Sequence, residues 1–390
     1  MIIGIDGSNL RGGGTVTHLI EILNHAHPLE LGVDRVDVWS GTRTLACLPE
    51  RTWLIKKYDG MLDKRLPFRV YWQRTVLPRL AGRLKYDVLF APGGTCTGIF
   101  RPIVTMSQNM LPFQTREFLR YGLRWNAIRM ALLRIAQSQS FRLADGIIFL
   151  STYARDSVLD ITGSVGGRIA VIPHGVPQAF RCPTRPQQPV QNYNNSRPFR
   201  FLYVSTVDQY KHQWHVAKAV GELHKSGLPV RLDLIGGAYS VSRKRLLRVL
   251  SQIDAASDFI TYHDYVAYQD LPQWYARADV FVFASTCENQ PIALLEAMAA
   301  GLPIASSAIP PMPEIAGPYA VLFDPLNPEN IAAQLKRLLM DVELRTKCAN
   351  DVYLRATRFS WEDASRETFE FLCEIGRART PAVNYGEGVR

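Results

Sequence analysis

The feature that most constrains this chain is a repeated alternation of short apolar runs with longer segments of helical period. Runs such as Gly146–Leu150 (GIIFL) and Val280–Ala284 (VFVFA) are continuously apolar rather than alternating. Such runs are typical of parallel strands covered by helices on both faces, and strands that alternate with helices favour βαβ units. The predicted fold class is therefore α/β, with doubly wound parallel sheets.

The candidate strands fall into two series. The first series is Ile2–Asp6, Val36–Ser40, Tyr86–Ala91, Ile103–Ser107, Gly146–Leu150 and Ile169–Ile172; the second is Phe201–Ser205, Val230–Ile235, Ile260–Tyr262, Val280–Ala284, Pro303–Ser306 and Ala320–Phe323. Between them, residues 181–199 are rich in Pro, Gln and Asn, as in a linker. The pattern predicts Rossmann-like domains at 1–180 and 200–359, with a helix at about 360–379 returning to the first. Ligands of such sheets bind beyond the carboxyl ends of the strands, so we expect the site in a cleft between two facing domains.

Charge and cysteine content narrow the class of protein. The formal net charge of +10 favours anionic partners, such as nucleotide phosphates or an anionic membrane surface. Six scattered cysteines without a C-x-x-C pair argue against a zinc ribbon or a disulfide framework, and fit a reducing cytosol. The N-terminus has no basic region typical of a signal peptide, and no apolar stretch approaches the roughly 20 residues of a membrane span.

Two basic segments suggest where an anionic surface would bind. Residues 56–85 combine nine Lys and Arg residues with Phe68, Tyr71 and Trp72. A long helix predicted over Thr115–Leu143 places Arg116, Arg120 and Arg124 on one face. Basic residues beside aromatic ones suit a peripheral membrane interface; a solvated helix face with its aromatics in the core is the alternative. No nucleic-acid module accompanies the charge, so nucleic acid is not an expected partner.

The segment ASTCENQPIALLEAMAAGLPIAS, residues 284–306, carries the clearest functional pattern. A helix predicted at Ile292–Ala300 follows Pro291 and ends at Gly301, where a positive φ would close it. Glu288 then lies beside the helix N-terminus, whose free N–H groups suit a phosphate, and can accept hydrogen bonds from sugar hydroxyls. Glu296 can hold a second polyol such as a ribose. Spacing alone leaves open that Glu288 is a capping residue and Glu296 an ordinary surface glutamate.

The stretch ENQPIALLEAMAAGLP resembles the Glu-x7-Glu motif of retaining GT-B glycosyltransferases of glycosyltransferase family 4, the glycosyl transferases group 1. Further stretches resemble the family's motifs in the same order: Gly12-Gly13-Gly14, ADGIIFLS at 144–151, IPHGV at 172–176, YVSTVDQYKH at 203–212, LIGG at 234–237, YHDYV at 262–266 and the strand region 271–285. The resemblance covers nearly the whole chain and is densest from Ala144 to Pro325.

The resemblance implies a GT-B fold, two Rossmann-like domains facing across a cleft, and a set of site residues. Lys211 and Glu288 are the expected catalytic residues. The expected donor-binding residues are Gly13, Gly14, Gln108, Ser205, Thr206, Lys211, Gly236, Tyr265, Glu288, Asn289, Gln290, Pro291, Ile292 and Glu296. The sequence departs from the family at Thr206, at Gln108, where a histidine is common, and at Asp264, where a glycine is usual. His174 and His212 also have structural interpretations, as a hinge or core residue and as a helix cap.

The implied reaction is retaining hexosyl transfer from a nucleotide diphosphate sugar, GDP-mannose or a UDP-sugar, to a glycan or polyprenyl-linked acceptor. Because no D-x-D motif follows a strand, no metal and no other cofactor are expected. Bacterial O-antigen or lipopolysaccharide assembly at the cytoplasmic face of the inner membrane is the expected setting. Two alternatives stay open: a GT-B-fold sugar-nucleotide epimerase or phosphorylase, and a catalytically silent sugar-nucleotide-binding subunit. A dehydrogenase is disfavoured because the G-x-G-x-x-G fingerprint is missing.

Overall fold

The computed structural model of the protein describes residues 1–96, 98–121 and 125–378, which form two compact units. Among the described residues, the first unit comprises Met1–Gln108, Leu132–Ile172 and residues 362–378; the second comprises Asn109–Ala131 and Pro173–Trp361. A segment from the first half of the sequence thus belongs to the second unit. The chain passes from one unit to the other at four points.

Each unit is built on one parallel sheet. The strands are β1 (Ile2–Asp6), β2 (Arg35–Trp39), β3 (Leu54–Lys57), β4 (Val88–Ala91), β5 (Ile103–Met106), β6 (Gly146–Phe149), β7 (Arg168–Val171), β8 (Phe199–Val204), β9 (Val230–Ile235), β10 (Ile260–His263), β11 (Val280–Phe283), β12 (Ile304–Ser307) and β13 (Val321–Phe323). Their orders are β3-β2-β1-β4-β5-β6-β7 and β10-β9-β8-β11-β12-β13. Both sheets are doubly wound. In each, the direction in which successive strands are added reverses beside the first strand: between β1 and β4 in the first unit, and between β8 and β11 in the second. The predicted α/β class is confirmed.

Helices connect the strands in βαβ fashion. They are α1 (Gly14–Asn24), α2 (Thr42–Leu45), α3 (Leu66–Tyr71), α4 (Leu77–Arg83), α5 (Thr115–Leu119), α6 (Trp125–Leu143), α7 (Thr152–Thr162), α8 (Gln213–Lys225), α9 (Ser240–Ile253), α10 (Leu271–Arg277), α11 (Ile292–Ala299), α12 (Met312–Ala316), α13 (Pro328–Met340), α14 (Val342–Ala356) and α15 (Trp361–Arg377). A π-helical turn, Trp72–Val76, joins α3 to α4. No helix in these ranges is both long and apolar enough to cross a bilayer.

The long helix predicted over residues 115–143 is wrong. α5 ends at Leu119, Arg120 follows in a turn, and α6 begins at Trp125. Arg120 contacts Glu117 at 2.8 Å instead of continuing an arginine face along one helix. Arg124 of that predicted face lies outside the described residues. Within α5, the Glu117 side chain is buried and accepts a hydrogen bond from the Thr286 hydroxyl at 2.7 Å.

Strand β3 was missed by the sequence analysis. Its burial runs from buried Leu54 to the exposed Ile55 and the half-buried lysines Lys56 and Lys57, so it lacks the continuous apolar run of the other strands. It lies at the edge of its sheet and pairs only with β2. An edge strand tolerates lysine because charge there discourages pairing with other chains.

Residues 181–199, predicted as a linker, pack on the second unit. The Cys182 amide donates to the Ala299 carbonyl at 3.0 Å, the Thr184 hydroxyl donates to Asn350 at 2.7 Å, and Arg345 donates to the Gln188 carbonyl. Side chains of the segment take part as well, since the Tyr193 hydroxyl donates to Asp279 at 2.9 Å. The segment therefore forms part of the second unit's surface.

Candidate functional site

The crevice of the second unit lies where its strand order reverses, between β8 and β11. Parallel strands end at the same edge of a sheet, so the loops after β8 and β11 are neighbours there. The Thr286 amide donates to the Tyr210 carbonyl at 2.8 Å and joins the two loops directly. Lys211 comes from the first loop and Glu288 from the second.

Lys211 and Glu288 form a buried ion pair. Lys211 Nζ contacts Glu288 Oε1, and each side chain is 11% exposed. The Lys211 ammonium also lies 5.1 Å from the centroid of the Tyr210 ring and 5.2 Å from that of Phe283, close enough for cation–π attraction. The Tyr203 hydroxyl donates to the Lys211 carbonyl at 2.5 Å and fixes the backbone. Two desolvated opposite charges thus face each other at the edge of the sheet.

The loop after Glu288 leads directly into α11. Pro291 is the N-cap residue and Ile292 the first helical residue, as predicted. The Gln290 side chain, 6% exposed, accepts a hydrogen bond at 2.5 Å from the His174 amide, and Asn289 is equally buried. Gly301 has φ +65°, and the Gly301 and Leu302 amides donate back into the last turn, as predicted for the helix end.

Glu296 lies inside α11 with its side chain buried. Tyr268 donates to its Oε1 and Tyr275 to its Oε2, both at 2.9 Å. Burial raises the pKa of Glu296 to about 7, although the two tyrosine hydrogen bonds act in the opposite direction. An ionised carboxylate has about four acceptor positions, of which the two tyrosines occupy two. Neither tyrosine was predicted as a site residue, although Tyr275 lies in the stretch 271–285 that resembles a family motif.

The other predicted donor-binding residues of this unit lie at the ends of β8, β9 and β10. Gly236, with φ +137°, packs so closely that a Cβ would lie 2.4 Å from the Ser205 carbonyl oxygen. The Thr206 carbonyl accepts from the Gln213 side chain at 3.1 Å and from the Ser205 hydroxyl at 3.2 Å. Tyr265 is 83% exposed. The geometry brings Ser205 and Gly236 together and leaves the Tyr265 ring in solvent.

A buried network that the sequence analysis missed supports the loop before Glu288. The Thr286 hydroxyl donates to Glu117 at 2.7 Å, and the His212 Nε2 atom lies 3.1 Å from the same hydroxyl. His212 has φ +51° at the N-cap position of α8, yet its side chain makes no capping hydrogen bond. Burial lowers its pKa to about 3, so the ring is neutral. Glu117 is too far away in sequence to be linked to this loop by any spacing.

The first unit has its own crevice at the reversal between β1 and β4. Asp6 is 4% exposed and accepts from the Ser8 amide at 3.0 Å and from the Gln73 side chain at 2.6 Å; burial raises its pKa. Arg69 donates to the Ser8 carbonyl at 2.9 Å and to Asn9 at 2.8 Å. These side chains were not predicted as site residues.

The donor-binding residues predicted in the first unit do not lie together: Gly13 and Gly14 are in one place and Gln108 in another. Gly13 is the N-cap residue of α1 and Gly14 its first residue; Gly13 has φ +65° and ψ −159°, and open space surrounds it. Gln108 is half-buried, with its amide nitrogen 3.2 Å from the Met106 sulfur. In the described part of the chain no group of three His, Cys, Asp or Glu side chains is placed to hold a metal ion. Metal independence stays a prediction.

Two family models match consecutive parts of the chain. The model for Glycosyltransferase Family 4 matches residues 12–180, and the model for Glycosyl transferases group 1 matches residues 184–355. The second match includes Lys211, Glu288 and Glu296. The first match ends just before the segment 181–199, and the second begins within it.

Curated relatives are similar over part of their length. O-antigen chain mannosyltransferase B of Escherichia coli is 25% identical over 242 residues, 62% of this chain and 63% of that protein. A D-inositol 3-phosphate glycosyltransferase of Paenarthrobacter aurescens is 25% identical over 237 residues, 59% of this chain and 58% of that protein. The chain thus spans less than two thirds of the length of either relative.

Solved structures of the same fold cover almost the whole chain. Sucrose-phosphate synthase from Thermosynechococcus elongatus has a TM-score of 0.76 at 17% identity, covering 97% of this chain and all of that one. Anabaena HepE in complex with UDP-glucose has a TM-score of 0.69 at 18% identity, covering 96% of this chain and all of that one. At these identities the likeness shows the fold. Combined with the two family models, it establishes that the chain belongs to glycosyltransferase family 4 and has the GT-B fold of two Rossmann-like domains.

Proposed function

We propose that the protein is a retaining hexosyltransferase that moves a mannose-type sugar from a nucleotide diphosphate donor to a glycan or polyprenyl-linked acceptor. The observation that carries the proposal is the buried ion pair between Lys211 and Glu288 at the strand-order reversal of the second unit. This crevice is where doubly wound sheets bind nucleotides. A lysine and a carboxylate placed together there suit the two halves of a sugar diphosphate.

Each residue has a distinct role in this proposal. The Lys211 ammonium neutralises charge on the diphosphate, and Glu288 accepts hydrogen bonds from sugar hydroxyls. The N-terminus of α11, beginning at Ile292 after the Asn289–Pro291 loop, presents amide N–H groups to a phosphate oxygen. Glu296 holds the ribose.

Catalysis in this proposal is electrostatic. As the glycosidic bond to the leaving diphosphate breaks, negative charge grows on the leaving oxygen, and Lys211 with the α11 N-terminus stabilises it. The acceptor hydroxyl attacks the anomeric carbon from the side of the leaving group, and its proton passes to the leaving phosphate oxygen. No protein carboxylate serves as a covalent nucleophile, and no metal ion is required. Retention of anomeric configuration follows from attack on the same face.

Donor and acceptor are inferred from relatives. Escherichia coli relatives include O-antigen chain mannosyltransferase B and the serotype-specific mannosyltransferase WbdA, which favours GDP-mannose as the donor. UDP-sugars are the second choice, since Anabaena HepE was solved with UDP-glucose. The acceptor in this proposal is a growing O-antigen or lipopolysaccharide glycan, with the protein at the cytoplasmic face of the inner membrane.

An exposed apolar surface on the first unit suits contact with an anionic membrane. The α3 surface consists of Leu66, Phe68 and Tyr71, which are 51%, 49% and 56% exposed, and of the neighbouring basic residues Lys64, Arg65 and Arg74. Lys64 Nζ lies 5.2 Å from the Phe68 ring centroid. Trp72, by contrast, is fully buried against Trp39, 5.6 Å between ring centroids, and takes no part.

Membrane contact is tested by sedimentation with vesicles. We expect the protein to bind vesicles containing anionic phosphatidylglycerol, and the double variant Phe68→Ser, Tyr71→Ser to bind them several-fold more weakly. Leu354→Ser, which removes a residue 64% exposed in the second unit, is the matched control. Equal binding of all three proteins would contradict a role for the α3 surface.

The proposed activity is tested first by donor binding. A thermal-shift screen against UDP, GDP, ADP and their sugars should raise the melting temperature for one base, because a ligand that binds the folded state stabilises it by mass action. Transfer of radiolabelled mannose from GDP-mannose to a polyprenyl-linked acceptor is then measured with the stabilising donor. Binding without transfer or donor hydrolysis would favour the silent subunit; no shift with any nucleotide would count against the whole proposal.

A further inference from the structure

The second unit contains a cavity of about 430 Å³ on one face of its sheet, on the strands β8, β9 and β10 beside α10. We name it the arginine pocket. Its functional lining consists of Arg200, Arg231, Arg277, Asp233, His263 and Trp274. Its volume lies within the range typical of small-molecule sites.

The arginine pocket is separate from the donor crevice. Arg200 is the second residue of β8 and pairs in register with Arg231, the second residue of β9. The crevice residue Ser205 follows the end of β8, five residues beyond Arg200. At about 3.3 Å per strand residue, this places the two positions roughly 16 Å apart along the strand. Arg200 and Arg231 thus lie in the amino-terminal half of their strands, away from the crevice beyond the carboxyl end of β8, whereas the pocket residue His263 is the last residue of β10.

Positive charge exceeds negative charge in the arginine pocket. Three guanidinium groups face one carboxylate, Asp233, which is 5% exposed. Arg200 and Arg231 each approach an Asp233 oxygen at 3.6 Å, and the His263 Nε2 atom lies 3.3 Å from it. Only His263 is within hydrogen-bonding distance, so Asp233 balances the arginines without saturating their N–H groups.

One buried arginine donor has no acceptor within hydrogen-bonding distance in the described residues. Arg231 Nη2 donates to the Thr261 hydroxyl at 2.8 Å, but the Arg231 Nε atom makes no hydrogen bond, and Asp233 Oδ1 lies 3.6 Å from it. A buried N–H group without a partner is costly, and such groups are uncommon in folded proteins. An anion in the cavity would supply the missing acceptor oxygens, and guanidinium groups bind phosphate in a bidentate manner.

An aromatic side chain lies beside the charged residues of the arginine pocket. The half-buried Trp274 indole packs against the His263 ring, with 4.4 Å between their centroids. An aromatic face beside a basic wall suits a ligand that has both a ring and a charge. We propose that the arginine pocket binds a dianionic phosphate monoester, with its phosphate among Arg200, Arg231 and Arg277 and its sugar or base ring beside Trp274. This site is additional to the donor crevice.

Isothermal titration calorimetry of the whole protein tests this site, with inorganic phosphate, glucose 6-phosphate, AMP and uncharged glucose as probes. We expect the phosphates to bind at low salt and glucose not to bind. Tighter binding of glucose 6-phosphate or of AMP identifies the ring as a sugar or a base, and equal binding of all three identifies the phosphate alone as the recognised group. Absence of binding by every phosphate at millimolar concentration overturns the proposal.

Amino-acid substitutions test whether the phosphate binds in the arginine pocket. Arg277 is exposed at the end of α10, so Arg277→Gln should fold normally and weaken phosphate binding about tenfold, the loss of one charge-assisted contact. Asp233→Asn removes the only carboxylate of the pocket lining and should tighten binding several-fold. Arg248→Gln, at an exposed position on α9, is the matched control and should bind as the wild type does.

A crevice variant separates this proposal from the proposed transferase function. Lys211→Ala should leave phosphate binding in the arginine pocket unchanged even if donor binding is lost. Loss of phosphate binding in Lys211→Ala together with unchanged binding in Arg277→Gln would place the anion in the crevice and refute the second site. Failure of the transfer assay alone would leave the calorimetric result intact.

Discussion

The two units share one topology, but the side chains in their crevices differ. At the β8/β11 reversal, a buried ammonium and a buried carboxylate contact each other directly. At the β1/β4 reversal, the buried carboxylate of Asp6 is held by neutral donors, and Arg69 donates to a carbonyl and an amide oxygen instead. Strand order therefore determines where a ligand can bind, and the loops determine its chemistry. The second crevice holds a paired ammonium and carboxylate, whereas the first holds a carboxylate bound by neutral hydrogen-bond donors.

The largest effect that distinguishes the two crevices is expected from a variant of Lys211. Lys211→Ala removes the cation from the second crevice, so we expect transfer to fall by roughly 100- to 1,000-fold, the usual loss when a group that stabilises a leaving charge is removed. Initial rates at saturating donor measure this. Lys218→Ala, on the exposed face of α8, is the control and should keep full activity. A folded Lys211→Ala protein with near wild-type turnover would remove Lys211 from the mechanism.

The raised pKa of Glu296 predicts how the stability of the protein depends on pH. Its pKa is raised from 4.5 to about 7 in the folded protein, so between these values the folded state binds more protons than the unfolded state. Stability contributed by the protonated group is therefore lost as pH rises from about 4.5 to about 7, by roughly 3 kcal/mol in all. Relative to Glu296→Gln, which stays neutral, the wild type should lose melting temperature between pH 5 and pH 8.

Two further measurements sharpen the Glu296 result. Tyr275→Phe removes a hydrogen bond that lowers the pKa of Glu296, so the pH-dependent loss should move to higher pH. Glu296→Gln should also weaken nucleotide binding roughly tenfold, because a charge-assisted hydrogen bond becomes a neutral one. A difference in melting temperature between wild type and Glu296→Gln that is constant over this pH range would show that Glu296 does not titrate there.

A smaller effect is expected at the glycine-rich loop of the first unit. Gly13 adopts φ +65° and ψ −159°, a backbone conformation that is essentially restricted to glycine. Open space surrounds it, so Gly13→Ala tests the backbone alone and should lower the free energy of unfolding by about 1–3 kcal/mol. Chemical denaturation measures this cost.

The smallest effect is expected at Gly82, the matched control for Gly13. Gly82 lies in α4, also in open space, but its φ is not positive. Gly82→Ala should therefore leave stability unchanged or raise it by about 0.5–1 kcal/mol, since alanine is the better helix former. Equal losses at both positions would mean that the loop conformation described for Gly13 is not what requires glycine.

Sequence alone predicted the fold class and much of the second crevice, because both depend on local patterns. Continuous apolar runs identified the buried strands, and the segment from Glu288 to Gly301 specified a loop, a helix and a glycine end. Contacts between distant segments could not be predicted. Glu117 reaches Thr286 across 169 residues, and Tyr268 and Tyr275 reach Glu296 from a separate helical region. The helix break after Leu119 was likewise not predicted.

The assignment of Asn109–Ala131 to the second unit affects how this protein can be divided for experiments. A fragment cut at the boundary suggested by the sequence, near residue 180, would lack α5 and leave the buried Thr286 hydroxyl without its carboxylate partner. The loop that carries Glu288 would then lose a support that comes from far upstream in the gene. An isolated fragment of the second unit should keep its native loop only if residues 109–131 are supplied with it, either as a separate peptide or joined through a designed linker.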